Sequence, residues 1–186
     1  VNLSTHQFQD PHLIDKLAQA LRDSGLAPGR LELEITESAA MLNPDQSLKT
    51  LGEVAGLGVR IAIDDFGTGY SSLSYLKRIP ANTIKIDKSF VDGLGRAQDA
   101  TIVRAVISLA QALGMETIAE GIEREDQYVA LRAMGCDLAQ GYWISRPLDA
   151  EAMRSLLHGN SRLVAAPLAM QGETVTWLHP RGKPPG

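Results

Sequence analysis

The sequence lacks cysteine pairs, long apolar runs and an excess of basic residues, which are the features of disulfide-linked, membrane-spanning and polyanion-binding proteins. It contains a single cysteine, Cys136, so no intrachain disulfide can form, and this composition favours a reducing compartment such as the cytoplasm. No run approaches the roughly 18 consecutive apolar residues of a membrane span, and no basic-then-apolar leader stands at the front. With 18 Lys and Arg residues against 22 Asp and Glu residues, the net charge of −4 argues against polybasic binding to nucleic acid polymers or membranes.

The chain also lacks an initiating methionine. It opens with Val1, Asn2, Leu3 and Ser4, a pattern typical of the end of a β-strand. We therefore expect the sequence to be a piece of a longer protein. We expect that protein to be cytoplasmic, with any membrane tether supplied by upstream domains.

Short β-rich runs alternate with amphipathic helical stretches from the start to about Leu157. Asp10-Pro11 and Asn43-Pro44 are each typical of a helix start, because proline fits the first helical turn. After the opening strand end, the expected strands cover residues 31–37, 60–66, 83–88, 116–123 and 138–144. The expected helices cover residues 10–25, 43–58, 73–77, 99–113, 125–134 and 149–157.

This alternation predicts an α/β fold with a parallel sheet and right-handed crossovers. An open doubly wound sheet and a (β/α)8 barrel both fit, but the glycine-rich phosphate fingerprint of the former is absent after the first strand. A barrel has eight strands and typically about 250 residues. The barrel interpretation therefore places two strands before Val1, and an open remnant with two free sheet edges is expected to be inactive and aggregation-prone.

We predict one domain over residues 1–157 and a poorly ordered tail over residues 158–186. The tail loses the helical and strand periodicity and is rich in proline and glycine near its end. Within it, residues 174–178 could form one short strand.

Charged side chains cluster at the predicted carboxyl ends of the strands. With a side-chain period of two, the strand containing Leu33 and Ile35 directs Glu34 to the opposite face, and the next strands direct Asp64, Lys85 and Asp87 inward in the same way. A single glutamate at a strand end is usually solvated, so the argument depends on the convergence of all of them. Converging carboxylates repel one another unless a cation neutralises them.

A metal ion satisfies that requirement, and the available ligands offer only oxygen atoms, which favours Mg²⁺, Mn²⁺ or Ca²⁺ over Zn²⁺. Several carboxylates, a lysine and divalent metals suit the hydrolysis of a phosphate ester, in which two ions activate water and stabilise the leaving oxygen. The candidate ligands are Asn2, Glu34, Asp64, Asp65 and Glu120.

A series of motifs follows the chain in order: Asn2-Leu3-Ser4, Glu34-Ile35-Thr36-Glu37, the run from Asp64-Asp65-Phe66-Gly67 to Leu73, Ile84-Lys85-Ile86-Asp87, Ala119-Glu120-Gly121-Ile122-Glu123, Gln140-Gly141-Tyr142 and Ser145-Arg146-Pro147. In this series the chain resembles the EAL-domain cyclic di-GMP phosphodiesterases. The resemblance covers Val1 to about Leu157. It implies a TIM-like (β/α)8 barrel of the EAL type, with the first two strands absent from this chain, and hydrolysis of cyclic di-GMP to linear pGpG.

The resemblance also implies roles for individual residues. The five candidate ligands would bind Mg²⁺ or Mn²⁺, two ions per site, and Lys85 would contact and help to activate the water. Glu37 would steady the loop after Asp65, and Arg146 would lie near the bound nucleotide. Glu123 and Gln140 match active-site positions. The loop over residues 67–73 would couple metal binding and substrate to homodimer contacts.

One departure from the family pattern leaves alternatives open. The Glu-Ala-Leu motif that names the family, with its metal-binding glutamate, lies on a strand before Val1 and is outside this chain. A catalytically inactive EAL domain that acts as a cyclic di-GMP receptor or interaction module is the main alternative. A purely structural barrel and a different metal-dependent barrel hydrolase explain the motif series less well. A glutamate on the upstream strand would favour the enzyme.

Overall fold

A computed structural model describes residues 1–68, 73–158 and 175–177. Within these residues the helices are α1 (Thr5–Phe8), α2 (Leu13–Ser24), α3 (Glu37–Met41), α4 (Pro44–Gly56), α5 (Leu73–Leu76), α6 (Lys88–Asp92), α7 (Ala97–Leu113), α8 (Glu125–Met134) and α9 (Ala150–His158). The strands are β1 (Glu32–Thr36), β2 (Arg60–Phe66), β3 (Thr83–Ile86), β4 (Glu116–Ala119), β5 (Leu138–Gln140) and β6 (Val175–Trp177). None of the helices in the described part of the chain is both long and apolar enough to cross a membrane.

The α/β class is confirmed, and β1 to β5 belong to a parallel sheet. The register between β1 and β2 runs from Glu32 opposite Arg60 to Thr36 opposite Asp64. The predicted strand end at the start of the chain is also present. The Leu3 N–H donates to the Glu34 carbonyl at 2.8 Å, and Asn2 forms a parallel bridge with Glu34.

The chain divides into two compact units, one formed by Val1–Lys85 and Ala110–Glu116, the other by Ile86–Leu109 and Thr117–Gly186. In each unit the apolar residues of the strands are buried, as expected for strands covered by helices on a parallel sheet. Fully or nearly fully buried side chains of the first unit include Leu33, Ile35, Leu51, Val54, Ile61 and Ile63. Those of the second include Val91, Ile122, Leu131, Cys136 and Ala139.

A polar network lies at the amino ends of strands in the first unit. The Arg60 guanidinium donates to carboxylate oxygens of Glu32 at 3.1 Å and Glu116 at 2.6 Å, and to the Thr83 hydroxyl at 3.3 Å. The Thr83 hydroxyl in turn donates to Glu32 at 2.9 Å. Burial disfavours the charged guanidinium, but the bonds to Glu116 and Glu32 outweigh it, so the pKa of Arg60 is raised. The network ties the starts of β1, β2, β3 and β4 together.

Three short helices begin at capping residues that sequence periodicity did not reveal. Ser4 forms a capping box with Gln7 at the start of α1, the Thr36 hydroxyl accepts from the Ala39 N–H at the start of α3, and Asp87 accepts from the Ser89 N–H at the start of α6. The predicted strand over residues 31–37 therefore ends at Thr36. The strand stops at a capping residue because its side chain accepts a hydrogen bond from a backbone N–H in the first turn of the following helix.

The predicted strands over residues 116–123 and 138–144 were too long. β4 ends at Ala119, and Gly121 adopts φ 68°, a left-handed conformation that a strand does not contain. β5 ends at Gln140, and Gly141 lies so close to the segment after β4 that a Cβ at this position would be 2.2 Å from the Ile122 nitrogen. Only glycine fits at that position.

The expectation of a short strand within residues 174–178 is confirmed, since β6 pairs antiparallel with β5. In its register Ala139 lies opposite Thr176. This pairing adds one strand beyond β5, so β6 stands at that end of the strand order, and the expectation of two free sheet edges stays a prediction. The prediction of a poorly ordered tail otherwise falls on residues 159–174 and 178–186, which are outside the described residues.

Candidate active site

A buried ion cluster lies at the carboxyl ends of β1 and β2. The Lys85 Nζ lies 2.6 Å from Glu34 Oε2 and 3.1 Å from Asp64 Oδ1. The Lys85 side chain is only 5% exposed, whereas those of Glu34 and Asp64 are 22% and 13% exposed. A buried ammonium is tolerated when carboxylates compensate its charge. Two carboxylates on one lysine leave the cluster with a net negative charge, open to solvent on the carboxylate side.

Asp65 adds a third carboxylate through an unusual backbone conformation. Its φ of 54° is the only positive value among the non-glycine residues that the structure describes. Neighbouring residues of a regular strand point to opposite faces, and the left-handed conformation at Asp65 interrupts that alternation. Carboxylate oxygens of Asp64 and Asp65 lie within 4.8 Å of each other. Two adjacent anions at this distance are a suitable arrangement for a divalent cation.

Glu37 holds the segment that follows these aspartates. It is the first residue of α3, it is 4% exposed, and its Oε2 accepts the Gly67 N–H at 2.9 Å. Gly67 has φ 97°, and the Asp65 carbonyl accepts both the N–H and the hydroxyl of Thr68. The tight turn after β2 is thus fixed by a buried carboxylate. Residues 69–72 of the predicted coupling loop lie outside the described residues, so the homodimer through this loop stays a prediction.

The first unit therefore contains most of the predicted metal ligands at one end of neighbouring strands. Asn2 is exposed and reaches this group through its backbone bridge to Glu34. Asp87, which the alternation placed inward with Lys85, instead uses its carboxylate to cap α6 and to accept from the Ser89 hydroxyl. The strand ends at Ile86, and this explains why the alternation does not extend to Asp87.

The second unit contains the remaining predicted residues. Glu120 directly follows β4, is partly buried, and donates its N–H to the Ile86 carbonyl at 3.1 Å. Glu123 forms an exposed ion pair with Lys88. The hydrogen bond from Lys88 lowers the pKa of Glu123, and the same bond raises the pKa of Lys88. The methylene chain of Lys88 lies against Gly121, where a Cβ would be 2.3 Å from Lys88 Cγ.

Gln127 is a residue that the sequence argument missed. It is 1% exposed, and its Oε1 accepts the N–H groups of Glu123 at 2.9 Å and Arg124 at 3.0 Å. Its Nε2 donates to the Val91 carbonyl at 3.3 Å. Gln127 therefore fixes the turn that carries Glu123. A capping box ordinarily pairs such a glutamine with Ser or Thr at the N-cap, and Arg124 stands there, so the sequence carried only half of that signature.

Gln140 and Arg146 lie at and beyond the end of β5. The Gln140 carbonyl accepts the Ile122 N–H at 3.1 Å, which joins two segments with predicted site residues. The Arg146 guanidinium lies 5.0 Å from the ring centroid of Tyr142, whose side chain is half-exposed. This is the geometry of a cation–π contact.

Cys136 is excluded as a nucleophile by its surroundings. It is fully buried, and burial raises its pKa to about 11. The thiolate, which is the nucleophilic form, is therefore scarce at neutral pH. Its Sγ contacts the carbonyls of Thr117 and Leu138, as expected for a core residue.

The comparison with protein families decides how this arrangement is classified. A family model of the EAL domain matches residues 1–147. The chain belongs to the EAL domain family. It is 46% identical over 154 residues to the bifunctional diguanylate cyclase/cyclic di-GMP phosphodiesterase MucR of Pseudomonas aeruginosa, which covers 82% of this chain and 22% of MucR.

Solved EAL structures agree with the fold. A structure of the PaMucR phosphodiesterase in complex with c-di-GMP matches with a TM-score of 0.80 and 46% identity, over 82% of this chain and 62% of that chain. A manganese and cyclic di-GMP complex of Klebsiella pneumoniae BlrP1 matches with a TM-score of 0.71 and 33% identity, over 76% and 37% of the two chains. The EAL neighbours are TIM-like barrels, and the fold prediction is confirmed: this chain matches that barrel without its N-terminal strands. It spans about a fifth of the length of the curated relatives that it matches.

Proposed function

We propose that the protein containing this chain is a metal-dependent phosphodiesterase that hydrolyses cyclic di-GMP to linear pGpG. The observation that carries the proposal is the buried Lys85 between Glu34 and Asp64, beside the strained Asp65. The similarity to MucR, a protein named as a cyclic di-GMP phosphodiesterase, supports the substrate.

The donor set fits Mg²⁺ or Mn²⁺. We propose that Asn2, Glu34, Asp64, Asp65 and Glu120 hold two such ions, because all five offer hard oxygen donors. One lysine compensates only part of the charge on Glu34, Asp64 and Asp65, so a cation would complete the neutralisation. The manganese complex of BlrP1 supports this choice of metal. When bound, the ions supply Lewis-acid stabilisation of the phosphate and a water of lowered pKa.

The residues of this chain would orient the reaction. The Lys85 ammonium, held by Glu34 and Asp64, would hydrogen-bond the attacking water or a phosphate oxygen at the strand ends. A new bond forms between the water oxygen and one phosphorus, and the bond from that phosphorus to the 3′ oxygen breaks. The product keeps a 5′ phosphate, as in pGpG. Preorganised charges of this kind act through electrostatic stabilisation of the transition state.

The other predicted residues would support that geometry. Glu37 would keep Asp65 in its left-handed conformation through Gly67, and Glu123 and Gln140 would serve as further active-site residues. Arg146, with Tyr142, would contact the nucleotide, since a guanidinium pairs with phosphate and stacks on a purine base.

The test is turnover by the full-length protein. Cyclic di-GMP is incubated with Mg²⁺ or Mn²⁺, and pGpG is measured by chromatography, with Asp64→Asn as the inactive comparison and binding measured in parallel. We expect conversion by the unmodified protein and none by Asp64→Asn. Tight binding without conversion by the unmodified protein would instead favour the cyclic di-GMP receptor.

A further inference from the structure

Tyr75 on α5 makes a buried hydrogen bond to α3. It is 6% exposed, and its hydroxyl donates to the Ala40 carbonyl at 2.6 Å across 35 positions of sequence. The Pro44 carbonyl lies 3.4 Å from the same hydroxyl. A buried tyrosine hydroxyl that bonds a distant backbone carbonyl fixes the two segments relative to each other.

The Ala40 carbonyl needs a donor from outside its own helix. In a continuing α-helix it would accept the N–H of the residue four positions later, but that residue is Pro44, which has no N–H. Ala40 is 1% exposed, so water has little access to its carbonyl. The Tyr75 hydroxyl therefore supplies the bond that this helix end requires.

The same short helix also holds the start of the segment that leads to Tyr75. Glu37, at the first position of α3, accepts the Gly67 N–H, while Ala40, three positions later, accepts the Tyr75 hydroxyl. The chain between Gly67 and Tyr75 is thus attached to α3 at both ends. Gly67 lies two positions after Asp65, whose strained φ persists only while its surroundings fix it.

We propose that Tyr75 is a positioning residue for the metal-binding carboxylates, acting through α3, Glu37 and Gly67 on the conformation of Asp65. The inference rests on the proposed function, because the reaction gives this positioning its purpose. Loss of the hydroxyl frees the Ala40 end of α3, which loosens Glu37, releases the Gly67 N–H and lets Asp65 relax. Burial raises the pKa of Tyr75, so its hydroxyl stays protonated and continues to donate at neutral and moderately alkaline pH.

The test uses Tyr75→Phe, which removes the hydroxyl and keeps the ring. Tyr128→Phe is the matched control, because the ring of Tyr128 packs on Trp143 and its hydroxyl makes no hydrogen bond to any other described residue. In the full-length protein, we expect Tyr75→Phe to lower kcat about tenfold with little change in KM. We also expect it to weaken Mn²⁺ binding and to speed amide exchange at Gly67 about tenfold, while amides of the second unit are unaffected.

A double variant separates positioning from general stability. If Tyr75 acts through Glu37, the combination of Tyr75→Phe and Glu37→Gln should be no slower than Glu37→Gln alone. Multiplicative effects in the double variant, or Gly67 exchange in Tyr75→Phe equal to that in Tyr128→Phe, would overturn the proposal. Should Tyr75→Phe fail to fold, amide exchange in the unmodified protein is the test. We expect the Gly67 amide to exchange in the same opening event as the amides of α3, and exchange at an independent rate would reject the coupling.

These readouts also separate this inference from the proposed function. Mn²⁺ binding and amide exchange at Gly67 require no turnover. A protein that does not hydrolyse cyclic di-GMP but shows faster Gly67 exchange in Tyr75→Phe would refute the phosphodiesterase and retain the structural coupling.

Discussion

The Lys85 Nζ lies 2.6 Å from a carboxylate oxygen of Glu34, although 51 positions separate the two residues in the sequence. The contact joins β3 to the end of β1 and places a buried positive charge among acidic side chains. Glu34 is also bridged through its backbone to Asn2, so one residue connects the start of the chain to the lysine.

Lys85→Met is expected to lower kcat/KM for cyclic di-GMP about 10²- to 10³-fold, because it removes a preorganised charge from the reacting phosphate. The methionine keeps most of the side-chain length, so the effect reports the ammonium. Steady-state assays at saturating Mn²⁺ measure it. Lys49→Met, which removes an exposed lysine on α4, is the control and should retain full activity. Equal activity of both variants would contradict a role for Lys85 in the reaction.

Substitutions of Asp65 separate its backbone conformation from its charge. Asn tolerates the left-handed region, so Asp65→Asn should change the free energy of unfolding by less than about 0.5 kcal/mol. It should still weaken Mn²⁺ binding, since a carboxylate is lost. Asp65→Val should cost about 1–2 kcal/mol, because a β-branched residue resists φ 54°. Urea denaturation without metal gives both values, and equal stability of the two variants would mean that residue 65 is not held in the left-handed conformation.

The ion pair between Lys88 and Glu123 predicts a change in titration. The pKa of Glu123 is lowered mainly by its hydrogen bond from Lys88. The contribution of this carboxylate to folding stability is therefore complete above the ordinary glutamate pKa, and it is lost as the pH falls through the depressed value. The pKa of Lys88 is raised, so its contribution is lost only as the pH rises through that value. Lys88→Met should return the pKa of Glu123 to the ordinary glutamate range, as measured by NMR of the side-chain carboxyl carbon. An unchanged titration would show that the pair is not formed in solution.

Cys136 should resist modification while the protein is folded. At pH 8, a thiol with a pKa of about 11 is roughly 0.1% thiolate, and this thiol is also fully buried. Mass spectrometry of the Cys136 peptide after treatment with a thiol reagent should detect almost no label in native buffer and full label in urea. Rapid native labelling would place Cys136 outside the core.

The sequence predicted the parts of this structure that follow from side-chain alternation. Ile61 and Ile63 are buried, and Asp64 leaves the core where the pattern changes from apolar to acidic. Side-chain alternation does not predict where a strand ends when a single hydrogen bond sets the backbone conformation. Thr36 and Asp87 are such positions, because their side chains cap the helices that follow. The bond from Tyr75 to Ala40 could not be predicted either, because nothing in the local sequence relates two residues 35 positions apart.

Arg60 and Asp64 lie four positions apart on β2, yet they serve opposite ends of the strand. Arg60 joins Glu32, Thr83 and Glu116 at the amino ends, and Asp64 meets Lys85 at the carboxyl ends. A protein engineer who seeks thermal robustness can therefore redesign the Arg60 network and leave the acidic cluster untouched. β2 therefore carries structural contacts at its amino end and the acidic cluster at its carboxyl end, and substitutions at one end need not alter the other.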